Sequence, residues 1–170
     1  MRIEFAGRAR LLGDDINTDY ILSSTRKKET LDPAALKQFL LEALDPAFAS
    51  SVLPGDLLVA GKNFGCGSAM EVAVTVVLAA GIRAVVARSF SRTYYRNAIN
   101  NGLIPVECDT RRIEEGDDLR ILLDDAGVRV SDQGQACEIS AVPLPGIMLD
   151  ILDQGGLIPY FRKYHDFAKG

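Results

Sequence analysis

Histidine is almost missing from this 170-residue chain, with His165 the only one, and its cysteines, Cys66, Cys108 and Cys137, are few and far apart. An odd number of cysteines without a C-x-x-C pair fits neither a disulfide framework nor a zinc site. An iron–sulfur cluster takes three or four thiolates, and no such set is present. Long apolar runs are missing too. The longest, Val72–Ile82, is broken by Thr75 and Gly81 and is too short to span a bilayer. Arg2, Glu4 and Arg8 interrupt the early hydrophobic core that a signal peptide needs. A net charge of −4 leaves no broad basic surface for nucleic acid. These absences predict a cytoplasmic protein with no nucleic-acid or membrane partner, and a chain that binds no metal itself.

What is present suits an ordinary globular protein. Apolar residues make up 48% and charged residues 25%, enough to build a core beneath a polar surface. A chain of this length is expected to form one domain, burying roughly 70% of its unfolded surface. That domain spans 1–170, with a motif-bearing core at about 7–106 and a β-rich, partly helical remainder at about 107–170. No repeat or linker argues for a second domain.

Strand and helix patterns alternate along the first part. Ile3–Leu12 reads as a strand. Asp32 and Pro33 read as the cap and first residue of a helix whose apolar face is Leu36, Phe39, Leu40 and Leu44. Asp56–Ala60 and Ala84–Ala87 are apolar enough for buried strands. Between them a helix is expected to run from Ser68 to a stop at Gly81. Ser91–Asn101 reads as a helix closed by Gly102, leading into strand Leu103–Val106. Beyond it, Asp118–Leu123 and Gly127–Ser131 flank a hairpin turn, and Ala136–Ala141 is a further strand. Two helical pieces follow at 149–155 and 157–164, broken by Gly155-Gly156. Periodicity alone predicts the α/β class.

The most informative stretch is Gly61-Lys62-Asn63-Phe64-Gly65-Cys66-Gly67-Ser68-Ala69-Met70-Glu71-Val72-Ala73, between a strand-like run and an apolar segment. Three glycines in seven residues allow a sharp turn and close approach to a ligand. Ser68 then stands where a helix should begin. It either caps that helix, with Glu71 completing a capping box, or faces an anion held by the free N–H groups of the first turn. Cys66 reads as a small buried or ligand-facing residue rather than a metal ligand.

The string GKNFGCGS closely resembles a signature of the small subunits of 3-isopropylmalate dehydratase and homoaconitase, and of the mobile C-terminal domain of aconitase. Gly13-Asp14-Asp15-Ile16-Asn17-Thr18-Asp19, Ala87-Arg88-Ser89-Phe90-Ser91-Arg92 and Tyr94–Pro105 match in the same order. The resemblance implies a single compact β/β/α swivelling domain of the aconitase C-terminal type. It implies a large subunit that carries the three cluster cysteines and the 4Fe–4S cluster. The substrate it implies is a small hydroxy di- or tricarboxylate.

By the same resemblance Ser68 matches a catalytic serine, an alkoxide-like base, with Gly67, Ala69 and Met70 beside it as substrate-binding positions. A serine hydroxyl is a very weak base, so such a role demands N–H groups and cations that stabilise the anion. Family members usually continue Gly-Ser-Ser-Arg-Glu-His, the arginine holding a substrate carboxylate. Here Met70 occupies that place, exchanging a bidentate fork for soft apolar contact. The loop that reads the substrate's variable arm corresponds to Leu22–Thr30, where Arg26 and Lys28 are the preferred replacement cations; a solvated basic run is the other reading. Asp14, Asp15, Asn17 and Asp19 are expected to brace that loop. Arg92 and Arg96 share a helix face whose role stays open. The leading functional expectation is the small subunit of a 3-isopropylmalate dehydratase. Homoaconitase and a dehydratase for a methyl-substituted malate follow, and a carboxylate-binding module without turnover is the alternative class.

Overall fold

The computed structural model describes residues 2–165; Met1 and residues 166–170, the ends of the expected domain, lie outside the described residues. Seven strands form one sheet in the order β4-β3-β2-β1-β5-β6-β7. They are β1 Arg2–Leu11, β2 Leu57–Ala60, β3 Ala84–Ala87, β4 Ile104–Glu107, β5 Asp118–Asp124, β6 Gly127–Asp132 and β7 Cys137–Ala141. The long β1 serves two partners. Its Arg2–Arg8 pairs antiparallel with β5, and its Ala9–Leu11 pairs parallel with β2. β2, β3 and β4 continue the parallel half, and β5, β6 and β7 form an antiparallel meander. The Val142 N–H bonds the Glu107 carbonyl at 2.8 Å, so the sheet curls until the chain beyond β7 meets the end of β4.

The helices are α1 Thr18–Ile21, α2 Ser24–Lys27, α3 Pro33–Leu36, α4 Phe48–Ser51, α5 Val72–Ala79, α6 Arg92–Asn101, α7 Gly146–Asp153 and α8 Leu157–Tyr164. Strands β2 and β3 are buried on both faces, which is why they read as unbroken apolar runs. Alternation divides them between two cores. Leu58, Ala60, Val85 and Ala87 join the core under α1, α3 and α5. Leu57, Val59, Ala84 and Val86 join the other, with Leu119, Ile121, Val128 and Val130 of the meander and Tyr160 of α8.

The sequence reading meets two corrections here. The expected helix from Asp32 is cut short: Asp32 caps it as foreseen, its carboxylate accepting from the Ala34 N–H at 3.1 Å. A single 3₁₀ turn, Lys37–Phe39, follows α3, and Leu41 takes a left-handed backbone, φ 57°. Leu36, Leu40 and Leu41 are buried, whereas Leu44, placed by periodicity on the same face, is 45% exposed. Packing has overridden the helical period. The second correction concerns Ser68. The helix expected there begins at Val72, with Glu71 at its cap position making no side-chain capping bond, so neither the serine cap nor the capping box forms.

Candidate active site

Loops leaving β1, β2 and β3 emerge side by side at the carboxyl edge of the parallel half, the place where open α/β sheets bind ligands. The β2 loop, Gly61 to Met70, is clamped from both sides. On the β1 side, Gly61 N–H donates to Gly13 O (3.1 Å), Gly65 N–H to Ile16 O (2.8 Å), and Thr18 N–H to Cys66 O (2.8 Å). On the β3 side, Phe64 N–H donates to Ser89 O (3.0 Å) and Ser91 N–H to Phe64 O (2.9 Å). Phe64 is fully buried, edge-on to Tyr94 and Phe90 with ring centroids 5.1 and 6.0 Å away.

The residues expected to brace the loop Leu22–Thr30 hold the β2 loop and α1 instead; among the described residues none of their side-chain bonds reaches that loop. Asp14 accepts from the Lys62 N–H at 2.8 Å and from Arg88 at 2.9 Å. Its carboxyl is held below the ordinary range, the Lys62 N–H lowering it most and Arg88 assisting against desolvation. Asp15 accepts from the Asn63 amide at 3.0 Å. Asn17 caps α1 through the Asp19 N–H at 2.9 Å, and its side chain lies against Gly67. A Cβ on Gly67 would stand 2.6 Å from that amide, and its φ of +92° is one that only glycine adopts readily. A Cβ on Gly65 would run into the Tyr94 ring. Both glycines are therefore steric requirements of the clamp.

The clamp ends at Ser68. Its carbonyl accepts from the Thr18 hydroxyl at 2.9 Å, which fixes the backbone, while its own hydroxyl has no hydrogen-bond partner among the described residues. Gly67, Ser68 and Ala69 are all exposed. Among the described residues, none of the backbone N–H groups from Gly67 to Val72 donates to a protein acceptor. A held backbone thus presents a free hydroxyl beside a run of unmet N–H donors, an arrangement that favours an anion.

Of the other candidates from the sequence, Met70 is buried at 9% exposure and belongs to the core under α5, so its side chain points inward. Arg26 is engaged within its own side of the fold: it forks onto Glu42 (2.8 and 3.1 Å) and covers the Phe39 ring at 3.9 Å. Lys28 is exposed. The cation the sequence reading passed over is Lys27, whose ammonium lies on the Met70 sulfur. It stood in the same basic run, but nothing in the spacing singled out the middle residue of three. Arg92 and Arg96 are exposed.

An iron–sulfur cluster does not fit the described residues. Cys66, Cys108 and Cys137 are free thiols, and among the described residues no three histidine, cysteine or acidic side chains converge. Cys108 is buried, and burial, with Asp109 nearby, pushes its thiol up to about 12, far from the thiolate a metal needs. No helix of the described residues is long and apolar enough to cross a membrane.

Comparison with known proteins agrees with this geometry. Residues 19–111 match the aconitase C-terminal domain. The 3-isopropylmalate dehydratase small subunit of Oleidesulfovibrio alaskensis is 44% identical, with 95% of this chain and 96% of that protein covered. A methanogen homoaconitase small subunit from Methanocaldococcus jannaschii is 41% identical over 92% of this chain and 91% of its own length. The crystal structure of a 3-isopropylmalate dehydratase from Methanocaldococcus jannaschii superposes with a TM-score of 0.89 at 38% identity, with 96% of each chain covered. Similarity of this extent runs through both halves of the sheet and the clamped loop alike: the chain belongs to the aconitase C-terminal domain family, the one that includes the 3-isopropylmalate dehydratase small subunits.

Proposed function

We propose that this chain is the small subunit of a two-chain hydro-lyase that removes water from a malate-type 2-hydroxy acid and returns it at the neighbouring carbon, with 3-isopropylmalate as the leading substrate. The observation that carries the reading is the unpartnered Ser68 hydroxyl on an immobilised backbone, followed by unmet N–H groups. In this role Ser68 accepts the proton from the carbon next to the departing hydroxyl, and the N–H run stabilises the oxyanion form that makes serine basic. Gly67 lets the backbone approach the substrate, and Ala69 leaves room beside it. The site is half of a site, because Ser68 sits on open surface. A large subunit closes it and brings the 4Fe–4S cluster, which no ligand set among the described residues accommodates. The whole chain, 1–170, then acts as one swivelling domain in a cytoplasmic assembly. Homoaconitase chemistry is the second reading, favoured by the Lys27 ammonium on the substrate loop, which suits an extra carboxylate.

The test is co-expression with the cognate large chain, anaerobic cluster reconstitution, and assay against hydroxy diacids and triacids. This chain alone is expected to be inactive and colourless; stoichiometric iron in the purified small chain contradicts the two-subunit reading. Ser68→Ala is expected to preserve assembly and cut turnover at least about 10²-fold, the lower range for a positioned base. Turnover near wild type reduces Ser68 to a bystander. Carboxylate binding by the assembled wild-type complex without any turnover favours the binding-module reading.

A further inference from the structure

We propose that the seam of the curled sheet, between the ends of β4 and β7, is a binding site for a small zwitterionic amino acid with an apolar side chain, separate from Ser68. A cavity of about 670 Å³ opens there, within the range of small-molecule sites. None of residues 67–72 lines it. Backbone bonds hold its walls. The Val142 N–H donates to the Glu107 carbonyl at 2.8 Å and the Cys108 N–H to the Ala87 carbonyl at 3.0 Å, while β7 is paired with β6 along its full length. Walls fixed in advance leave little to be ordered when a ligand enters.

Five charged side chains line the cavity, and three of them are already engaged. Arg111 forks onto Asp109 at 2.6 and 2.8 Å, and Arg88 donates to Asp14 at 2.9 Å. The other two are Lys62, exposed, and Glu107, half-buried. Among the described residues neither side chain makes a hydrogen bond or an ion pair, with the other or with any neighbour. An ammonium has three donors to place and a carboxylate about four lone-pair sites. Opposite charges that face one cavity without meeting leave a gap that a dipolar ligand bridges, its carboxylate on Lys62 and its ammonium on Glu107. A simple anion or a simple cation would serve only one of the pair. Much of the remaining wall is apolar. Ala141 is half-buried, Val142 is 53% exposed, and burial keeps the Cys108 thiol protonated. An aliphatic side chain laid there takes apolar surface out of water.

The experiment titrates the isotope-labelled full-length chain with L-norleucine and follows its backbone amide signals by NMR. Saturable shifts centred on residues 107–109 and 140–142 are expected, with a Kd of about 5 mM or tighter for so small a ligand. Hexanoate lacks the ammonium and pentylamine lacks the carboxylate, and each should bind at least about 5-fold more weakly. Lys62→Met and Glu107→Gln should each weaken L-norleucine at least about 5-fold, whereas Lys62→Arg, which keeps the charge, should stay within about 3-fold of wild type. No saturation by about 20 mM overturns the proposal, as do shifts centred elsewhere. Hexanoate or pentylamine binding as tightly as L-norleucine also overturns it, because the site would then read a single charge. Unchanged binding by Lys62→Met or by Glu107→Gln does the same. Should a variant fail to fold, the three ligands compared on the unsubstituted chain still decide.

Discussion

Two polar regions flank the parallel strands, one at each end of β2, and they differ in whether their groups are satisfied. At the amino end, Asp56 is buried and accepts from Arg8 at 2.7 and 3.1 Å and from the Leu53 N–H at 2.9 Å. Arg10 completes the region, donating to Glu115 at 2.8 Å and to the Ser51 hydroxyl at 2.8 Å while its guanidinium covers Phe48. At the carboxyl end, the loop is equally well fixed up to Ser68, and then the hydroxyl and the N–H groups that follow it are left unmet among the described residues. Charge is denser at the amino end, yet the candidate chemistry is at the other. Buried polar groups that satisfy one another hold a fold together; fixed groups with spare valence await a ligand.

The comparison breaks most visibly through Asp56. Removing it takes both bonds from Arg8 and the 3.5 Å contact from Arg10 and leaves the Leu53 N–H without its acceptor, and Asp56→Ala is expected to cost about 3–5 kcal/mol of stability, as when a buried acid is deleted from a charge network. Denaturant titration measures the loss. Burial alone would raise the Asp56 pKa, but hydrogen bonds from Arg8 and Leu53 and the charge of Arg8 outweigh it, and the carboxyl sits below its ordinary range. Its contribution is therefore complete above the ordinary carboxylate range and drains away as pH falls through the lowered value. The gap between wild type and Asp56→Ala should narrow on acidification. A gap that widens would mean that Asp56 is not held ionised by its partners.

A smaller effect tests whether the carboxyl end is as rigid as the amino end. Gly65→Ala places a Cβ against the Tyr94 ring in a backbone with φ +78°, and is expected to cost about 2–4 kcal/mol from left-handed strain and overpacking together. In a chain of this size that lowers Tm by roughly 5–15 °C. Turnover should fall with it, because the same loop sets Ser68. A stable, inactive Gly65→Ala would show that position matters more than rigidity; a stable, active one would show that the loop yields.

The smallest effect sharpens the line between the two kinds of group. Arg26 sits beside Lys27 in sequence but its surroundings resemble those of Arg8. Arg26→Met is expected to lower stability only slightly, as loss of a partly exposed pair and a stacked ring should. It should change kcat/KM for diacids and triacids by the same factor. Selective loss of one substrate would move Arg26 across the line and into the site.

Much of this was legible before any coordinate. Asp32 as a cap, Gly102 as a helix stop, and the strands read at Asp56–Ala60 and Ala84–Ala87 follow from local rules, because neighbours within four residues decide them. The GKNFGCGS string and its companions carried the family, since steric demands such as the absent Cβ atoms of Gly65 and Gly67 are written into residue identity. Leu44, Leu41 and the delayed start of α5 were not legible, for there tertiary packing outweighed periodicity and capping preference.

The sequence by itself determined the family, the two-faced burial of the parallel strands, and Ser68 as the residue to watch. Only the tertiary structure decided which cations of the basic run are engaged elsewhere. Arg26, Lys27 and Lys28 are adjacent and alike in charge. Whether an ion is spent or available depends on Glu42, Phe39 and Met70, residues up to 43 positions away that only the fold brings alongside.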